Sequence, residues 1–367
     1  MARGLYFGFV ILMSSLALFA NTCLALSLED ARFKGDLRLR YQYDYKSTPA
    51  SSTQRHRGRG RLRFGFETDL RGNVTIGVRL ATGQTDNRST NQTFGDFFVT
   101  KDLRLDMAYA AWNAGGGVSF HFGKYRNALV ISDDLIWDGD INFEGASVLW
   151  EGPPVRGLAG LANAGFLLLK EEKSSSRDQY VFYIQPGVSF VYHDDLTGKL
   201  GLAYYGFENV KGSVPDGDLS SGSNTLADGR LEYDYDTLNP TVVLAYTVDS
   251  GDGPDYTVII LGDYVYNFDS RDAGFLAGAK FGHAKVKERA SWIAYYNYRN
   301  LERDAFLDVF PDSDFYGGAT GVRGHEFVFQ FAVAENIILG LDYYRAEKTE
   351  GDENPLDVFQ LDCVFKF

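Results

Sequence analysis

Residues 36–45 read Asp-Leu-Arg-Leu-Arg-Tyr-Gln-Tyr-Asp-Tyr, and the alternation in this stretch decides the fold class. Leu37, Leu39, Tyr41, Tyr43 and Tyr45 share one face of an extended chain, and Asp36, Arg38, Arg40, Gln42 and Asp44 share the other. Successive side chains of a β-strand point to opposite faces, so this is a strand with one apolar and one charged side.

The same period recurs outward from there. Leu62, Phe64 and Phe66 share a face, as do Val74, Ile76, Val78 and Leu80. Leu103, Leu105, Met107 and Tyr109 read as a further apolar face, opposite Arg104 and Asp106. Near the end come Phe327, Phe329, Phe331 and Val333, then Ile337, Leu339, Leu341 and Tyr343, then Phe359, Leu361, Cys363, Phe365 and Phe367. Alternation slips only near 158–169 and 231–247. Short turns are expected at Arg71-Gly72-Asn73, Asn113 to Gly117, His193 to Gly198 and Glu335-Asn336. Long polar connections are expected at 47–54, 84–101, 124–143, 210–230 and 301–323. Short turns on one side and long loops on the other are the habit of membrane barrels. The reading is all-β: a transmembrane antiparallel up-and-down β-barrel of about 16 strands, its termini on the periplasmic side.

A soluble sandwich also alternates, so other signals must separate the two. The chain carries 23 Tyr and 28 Phe, many near strand ends where interfacial girdles form. It ends in Phe367, which resembles the terminal aromatic by which barrel-insertion machinery recognises its clients. Residues 1–25 have a basic start at Arg3, an apolar core over Leu5 to Phe19, and small residues at Cys23 and Ala25. That is a cleavable signal peptide, leaving residues 26–367 as a single barrel. Cys363 is then the only cysteine, so rigidity must come from closure rather than from disulfides. A net charge of −13 argues against nucleic acid as a partner. Loop acids such as Asp216, Asp218, Asp312 and Asp314 read as a solvated surface.

Arg55, Arg57, Arg59, Arg61 and Arg63 occupy alternate positions, a ladder with rungs about 6.7 Å apart. An Arg facing lipid costs roughly 2–4 kcal/mol at mid-membrane. Several there would cancel a typical stability of about 5–15 kcal/mol. The ladder therefore faces a wet lumen or, at its upper end, the exterior. Arg38, Arg40, Arg79 and Arg104 join it as pore-lining candidates. The loop at 124–143 carries Asp133, Asp134, Asp138 and Asp140, with Glu144 just after it, among Leu135, Ile136 and Trp137. Apolar residues in an exterior loop imply that it packs against something. The expectation is a loop folded inward, its carboxylates opposite the arginines, making a transverse field at the narrowest point.

Gly35 to Tyr43 (GDLRLRYQY), Arg55 to Phe66 (RHRGRGRLRFGF), Val78 to Gly83 (VRLATG), Leu135 to Gly145 (LIWDGDINFEG) and Asn297 to Gly318 (NYRNLERDAFLDVFPDSDFYGG) together resemble the outer-membrane porins of Gram-negative bacteria. The resemblance implies about sixteen strands, passive diffusion of small hydrophilic solutes, no cofactor, no catalytic residues, and a homotrimer among outer-membrane lipids. A plugged, structural or adhesive barrel and a barrel-wall hydrolase are the competing readings. The five histidines, His56, His121, His193, His283 and His325, show no metal-ligand spacing.

Overall fold

In a computed structural model, which describes residues 31–367 except 71, 174–176, 194 and 252, sixteen long strands carry the fold. They are β1 (Arg32–Ser47), β2 (Ser52–Leu70), β3 (Val74–Thr82), β4 (Leu103–Gly115), β5 (Val118–Arg126), β6 (Asn142–Glu151), β7 (Leu158–Lys170) and β8 (Gln179–Tyr192), followed by β9 (Leu196–Glu208), β10 (Thr237–Val248), β11 (Tyr256–Asn267), β12 (Ala273–Gly282), β13 (Trp292–Leu301), β14 (Val322–Ala334), β15 (Ile337–Lys348) and β16 (Leu356–Lys366). Each pairs with its neighbours in chain order, and β1 pairs with both β2 and β16, so the sheet closes on itself. Closure leaves no unpaired edge, which a sheet surrounded by lipid requires. The signal peptide expected over residues 1–25 lies outside the described residues.

The connections fall into two sets. The end that holds both ends of the barrel sheet has turns such as 72–73, 116–117 and 335–336. Asn73 and Asn336 take positive φ there, a conformation Asn adopts more readily than most residues. The opposite end has the four longest loops: L2 (83–102), L3 (127–141), L5 (209–236) and L7 (302–321). Of the two segments with weak alternation, the first is β7. The second starts late, at Thr237, and residues 231–236 belong to L5.

Register separates the faces. Arg40 lies opposite Asp362 and Gln42 opposite Gln360, while Leu39 lies opposite Cys363 and Tyr41 opposite Leu361. The first set points inward, and the second forms part of the apolar outer wall. One expected face is corrected. The pairing of β3 with β4 shifts between Arg79 and Leu80, a bulge at Asp106. An extra residue in one strand flips the alternation. Leu103 and Leu105 therefore face outward, whereas Met107 and Tyr109 face inward with Arg79 and Gly77. The Tyr109 hydroxyl donates to Glu67 at 3.0 Å inside the barrel.

Candidate functional site

Arg38 and Arg40 of β1 and Arg57, Arg59, Arg61 and Arg63 of β2 form one cluster on the inner wall, and each is held by an acceptor. Arg40 binds Asp362 through Nε at 2.7 Å and through a terminal nitrogen at 2.8 Å, a bidentate grip across the seam between the first and last strands. Arg57 pairs with Asp44 at 2.6 Å. Arg61 and Arg63 share Asp36 at 2.7 and 2.9 Å. Arg59 donates to Gln42, and Arg38 to Asn91 of L2, each at 2.8 Å. Charge-assisted bonds of this kind fix the planar heads in place.

L3 crosses the lumen. The Gln185 side chain on β8 bonds both backbone groups of Val130, at 2.8 and 2.9 Å. Ser132 donates to Asp263 on β11 at 3.0 Å. Asp133 accepts from Tyr295 and lies 3.9 Å from Lys280, and Asp134 pairs with Arg299 at 2.9 Å. The loop then returns to β2, where Asp140 meets Arg63 at 3.2 Å and Arg61 at 4.0 Å. L3 thus touches the wall at β8, β11, β13 and β2.

L7 also folds inward. Asp312 reaches Arg299 at 3.5 Å, and Asp314 reaches Arg40 at 2.8 Å and Arg59 at 3.8 Å. The solvated reading of these two acids is therefore corrected, because both are enclosed by basic side chains of the wall. Burial alone would raise the Asp314 carboxyl, but the guanidinium groups of Arg40, Arg59 and Arg38 hold it far below the usual carboxylate range. Asp140 likewise outweighs its burial through Arg61 and Arg63, and its value falls. Asp133 has the opposite fate: burial, then the charge of Asp134, pushes it up to about 8.

Apolar contacts seat the two loops. Leu135, Ile136 and Trp137 of L3 meet Phe306, Leu307 and Phe310 of L7, against Leu167, Val181, Tyr205, Phe207, Leu261 and Leu276 of the wall. The Trp137 ring meets Phe306 edge-to-face at 5.3 Å between centroids and lies tilted against Phe310 at 4.7 Å, and its Nε1 donates to Tyr205 at 3.1 Å. The alternative for these side chains is a water-filled lumen, and burying each contributes about 1.5–3 kcal/mol. The hydrophobic effect therefore folds the loops in. Arg88 of L2 ties them together. Its guanidinium donates to the carbonyls of Asp308 and Gly318 in L7 and of Leu219 in L5, at 2.8, 3.2 and 3.0 Å.

The candidates read from sequence divide accordingly. Arg38, Arg40, Arg57, Arg59, Arg61 and Arg63 stand together, joined by Asp140 alone among the L3 acids. Arg79 contacts Asp106 on β4, apart from them. Arg104 is half exposed and pairs with Asp102 at 3.4 Å, away from the cluster. Asp133 and Asp134 face the β12–β13 wall, and Asp138 accepts the Ser313 amide of L7 at 2.9 Å rather than facing the ladder. Glu144 is not in the loop at all. It lies opposite Lys124 on the outer face of the barrel and pairs with it. Arg88, Arg299, Asp312 and Asp314 were missed. The rule that found L3, apolar residues mixed with Asp in an exterior loop, holds equally for Phe306, Leu307, Phe310 and Phe315 of L7.

A closed sixteen-stranded barrel, apolar outside and narrowed inside by folded loops, defines a membrane-barrel channel. The family described as "Putative porin" matches residues 36–244 and 230–367, and the chain belongs to that family. It is a porin, a channel for the diffusion of solutes. Among solved structures, OprB of Pseudomonas putida is similar in fold, with a TM-score of 0.60 at 12% identity over 92% of this chain and 94% of that one. A variant of the Rhodopseudomonas blastica porin aligns at a TM-score of 0.49 and 13% identity, over 92% of this chain and 100% of that one. OpdQ of Pseudomonas aeruginosa aligns at 0.47 and 10%, over 92% and 98%. No curated protein matches the chain.

Proposed function

We propose that the mature chain, without residues 1–25, sits in a bacterial outer membrane as a passive channel narrowed by L3 and L7. One observation carries the reading: Asp140 on a lumen-crossing loop lies against Arg61 and Arg63 of the wall, so opposed charges meet inside the barrel. The path runs along the arginine wall, since the β6–β12 side is filled by apolar packing. Arg38, Arg40, Arg57, Arg59, Arg61 and Arg63 line that path, and Asp140 sets its field. Small hydrophilic solutes are the cargo.

Planar-bilayer recording is the test. The wild-type barrel gives single-channel steps, and Asp140→Asn changes both conductance and reversal potential. Unchanged values in that variant would remove L3 from the pore. A homotrimer is the assembly that the resemblance supports, and migration of the unheated protein at three times the monomer mass checks it. Phe367, whose backbone bonds Gly35 of β1 at 2.8 and 3.0 Å, serves as the insertion signal. Deleting it lowers the amount of folded barrel recovered from membranes.

A further inference from the structure

The arginine wall has more positive charge than its own strands neutralise. Arg38, Arg40, Arg57, Arg59, Arg61 and Arg63 supply six cationic heads, while the acids that the barrel strands set against them are four: Asp36, Asp44, Asp342 and Asp362. The balance is made up by two loop carboxylates, Asp140 of L3 and Asp314 of L7. The wall alone is therefore a cationic track.

The Nε donors of Arg38, Arg57 and Arg59 are buried and have no acceptor. A guanidinium offers five N–H groups in a fixed fork, and an orphaned donor of this kind is costly. These Nε atoms are shut off from the lumen, so the heads meet a partner through their terminal nitrogens, as they do with Asp314, and the group that suits them is a carboxylate or another small oxyanion.

The position of Asp314 shows where such a group would sit. Its carboxylate bridges Arg40 on β1 and Arg59 on β2. The Arg40 side chain is 2% exposed and that of Asp314 is 20% exposed. The carboxylate thus lies between a sealed guanidinium and the open lumen. A solute carboxylate arriving there would form the same contacts that Asp314 gives up.

We propose that Arg40 and Arg59, with Arg38 beside them, form a binding slot for small monocarboxylate solutes, and that Asp314 is a tethered anion which those solutes displace as they pass. The inference rests on the channel reading and adds to it a substrate class and a role for L7. Neutral solutes cannot replace the Asp314 contacts, and cations are repelled at the slot.

The test uses glucuronate and glucose, a charged and an uncharged sugar of nearly the same size, on the full-length barrel in liposomes and planar bilayers. Heat-modifiable migration on gels confirms that each variant is folded. Wild-type barrel admits glucuronate faster than glucose. Asp314→Asn raises the anion-to-cation permeability ratio roughly two- to fivefold, and Arg59→Gln reduces the preference for glucuronate. A conducting wild type that admits glucuronate no faster than glucose overturns the slot, as does an Asp314→Asn variant with an unchanged ratio. A folded wild type without conductance overturns the channel reading itself, and the slot with it.

Discussion

The two sides of the lumen are built on opposite principles. From β13 through β16 to β3 the inner wall is ionic, with arginines and carboxylates interlocked around Arg40 and Arg299. From β6 to β12 it carries an apolar cluster, and L3 and L7 pack on it as a folded core would, with Gln185 and Asp263 as polar anchors for L3. One side leaves polar groups that a passing solute can use. The other side removes cross-section. In the proposed channel the path therefore lies beside the constriction loops rather than through their middle.

Removing Arg299 breaks the comparison at the seam of the two sides. It holds Asp134, Glu326 and Asp312 at 2.9, 2.5 and 3.5 Å and lies 4.6 Å from the Phe315 ring. Arg299→Met leaves these carboxylates without their partner, a cost of about 5 kcal/mol, toward the upper end for a broken buried pair. Lower urea resistance of the folded band checks it. Trp137→Ala attacks the apolar side alone. Truncating a buried Trp costs about 3–5 kcal/mol, so L3 lifts off its seat and single-channel conductance rises while the barrel stays folded. If conductance does not change, the apolar packing is not what holds the loop.

Arg88→Ala loosens the mouth and leaves both walls intact. Hydrogen bonds from a charged donor contribute roughly 1.5–3 kcal/mol, and faster cleavage of L5 and L7 by an added protease is the expected readout. The smallest effect is a response to pH. The Asp133 carboxyl is raised to about 8, so the seated loop holds that proton more tightly than an unfolded chain does. Its contribution is full below the ordinary carboxylate value and drains away as pH rises through about 8. Channel noise therefore increases between about pH 7 and 9. Asp314, lowered instead, keeps its charge across that window and loses its contribution only in strong acid.

The same contrast explains what the sequence disclosed. Alternation is sharp where one face is charged, as in β1 and β2, so the strands of the ionic side and the arginine ladder could be read directly. It blurs in β7, where Leu161 and Leu167 point inward and Leu158, Phe166 and Leu168 outward. Both faces of that strand are apolar because both are covered, one by the membrane and one by the loop core. Period two vanishes when the lumen is not wet. The loop acids were harder. Asp312 and Asp314 look like any solvated pair until Phe306 and Phe310 are seen to pull L7 inward. Glu144 and Tyr109 went astray for local reasons, a loop that ends two residues earlier and a bulge, neither of which leaves a mark in composition.

Arg40 is the nearest thing to a keystone, and its place has a consequence for assembly. It grips Asp362 on the last strand, 322 positions further along the chain, and Asp314 of L7 with the same head group. Neither partner is present until nearly all of the chain has been made and its two ends have met. A half-built wall therefore has the arginines of β1 and β2 but not the carboxylates of L7 and the last strand that hold them in place. The step that seals the cylinder is also the step that makes it selective, so a barrel stalled before closure would be an unguarded hole rather than a slower version of the finished channel.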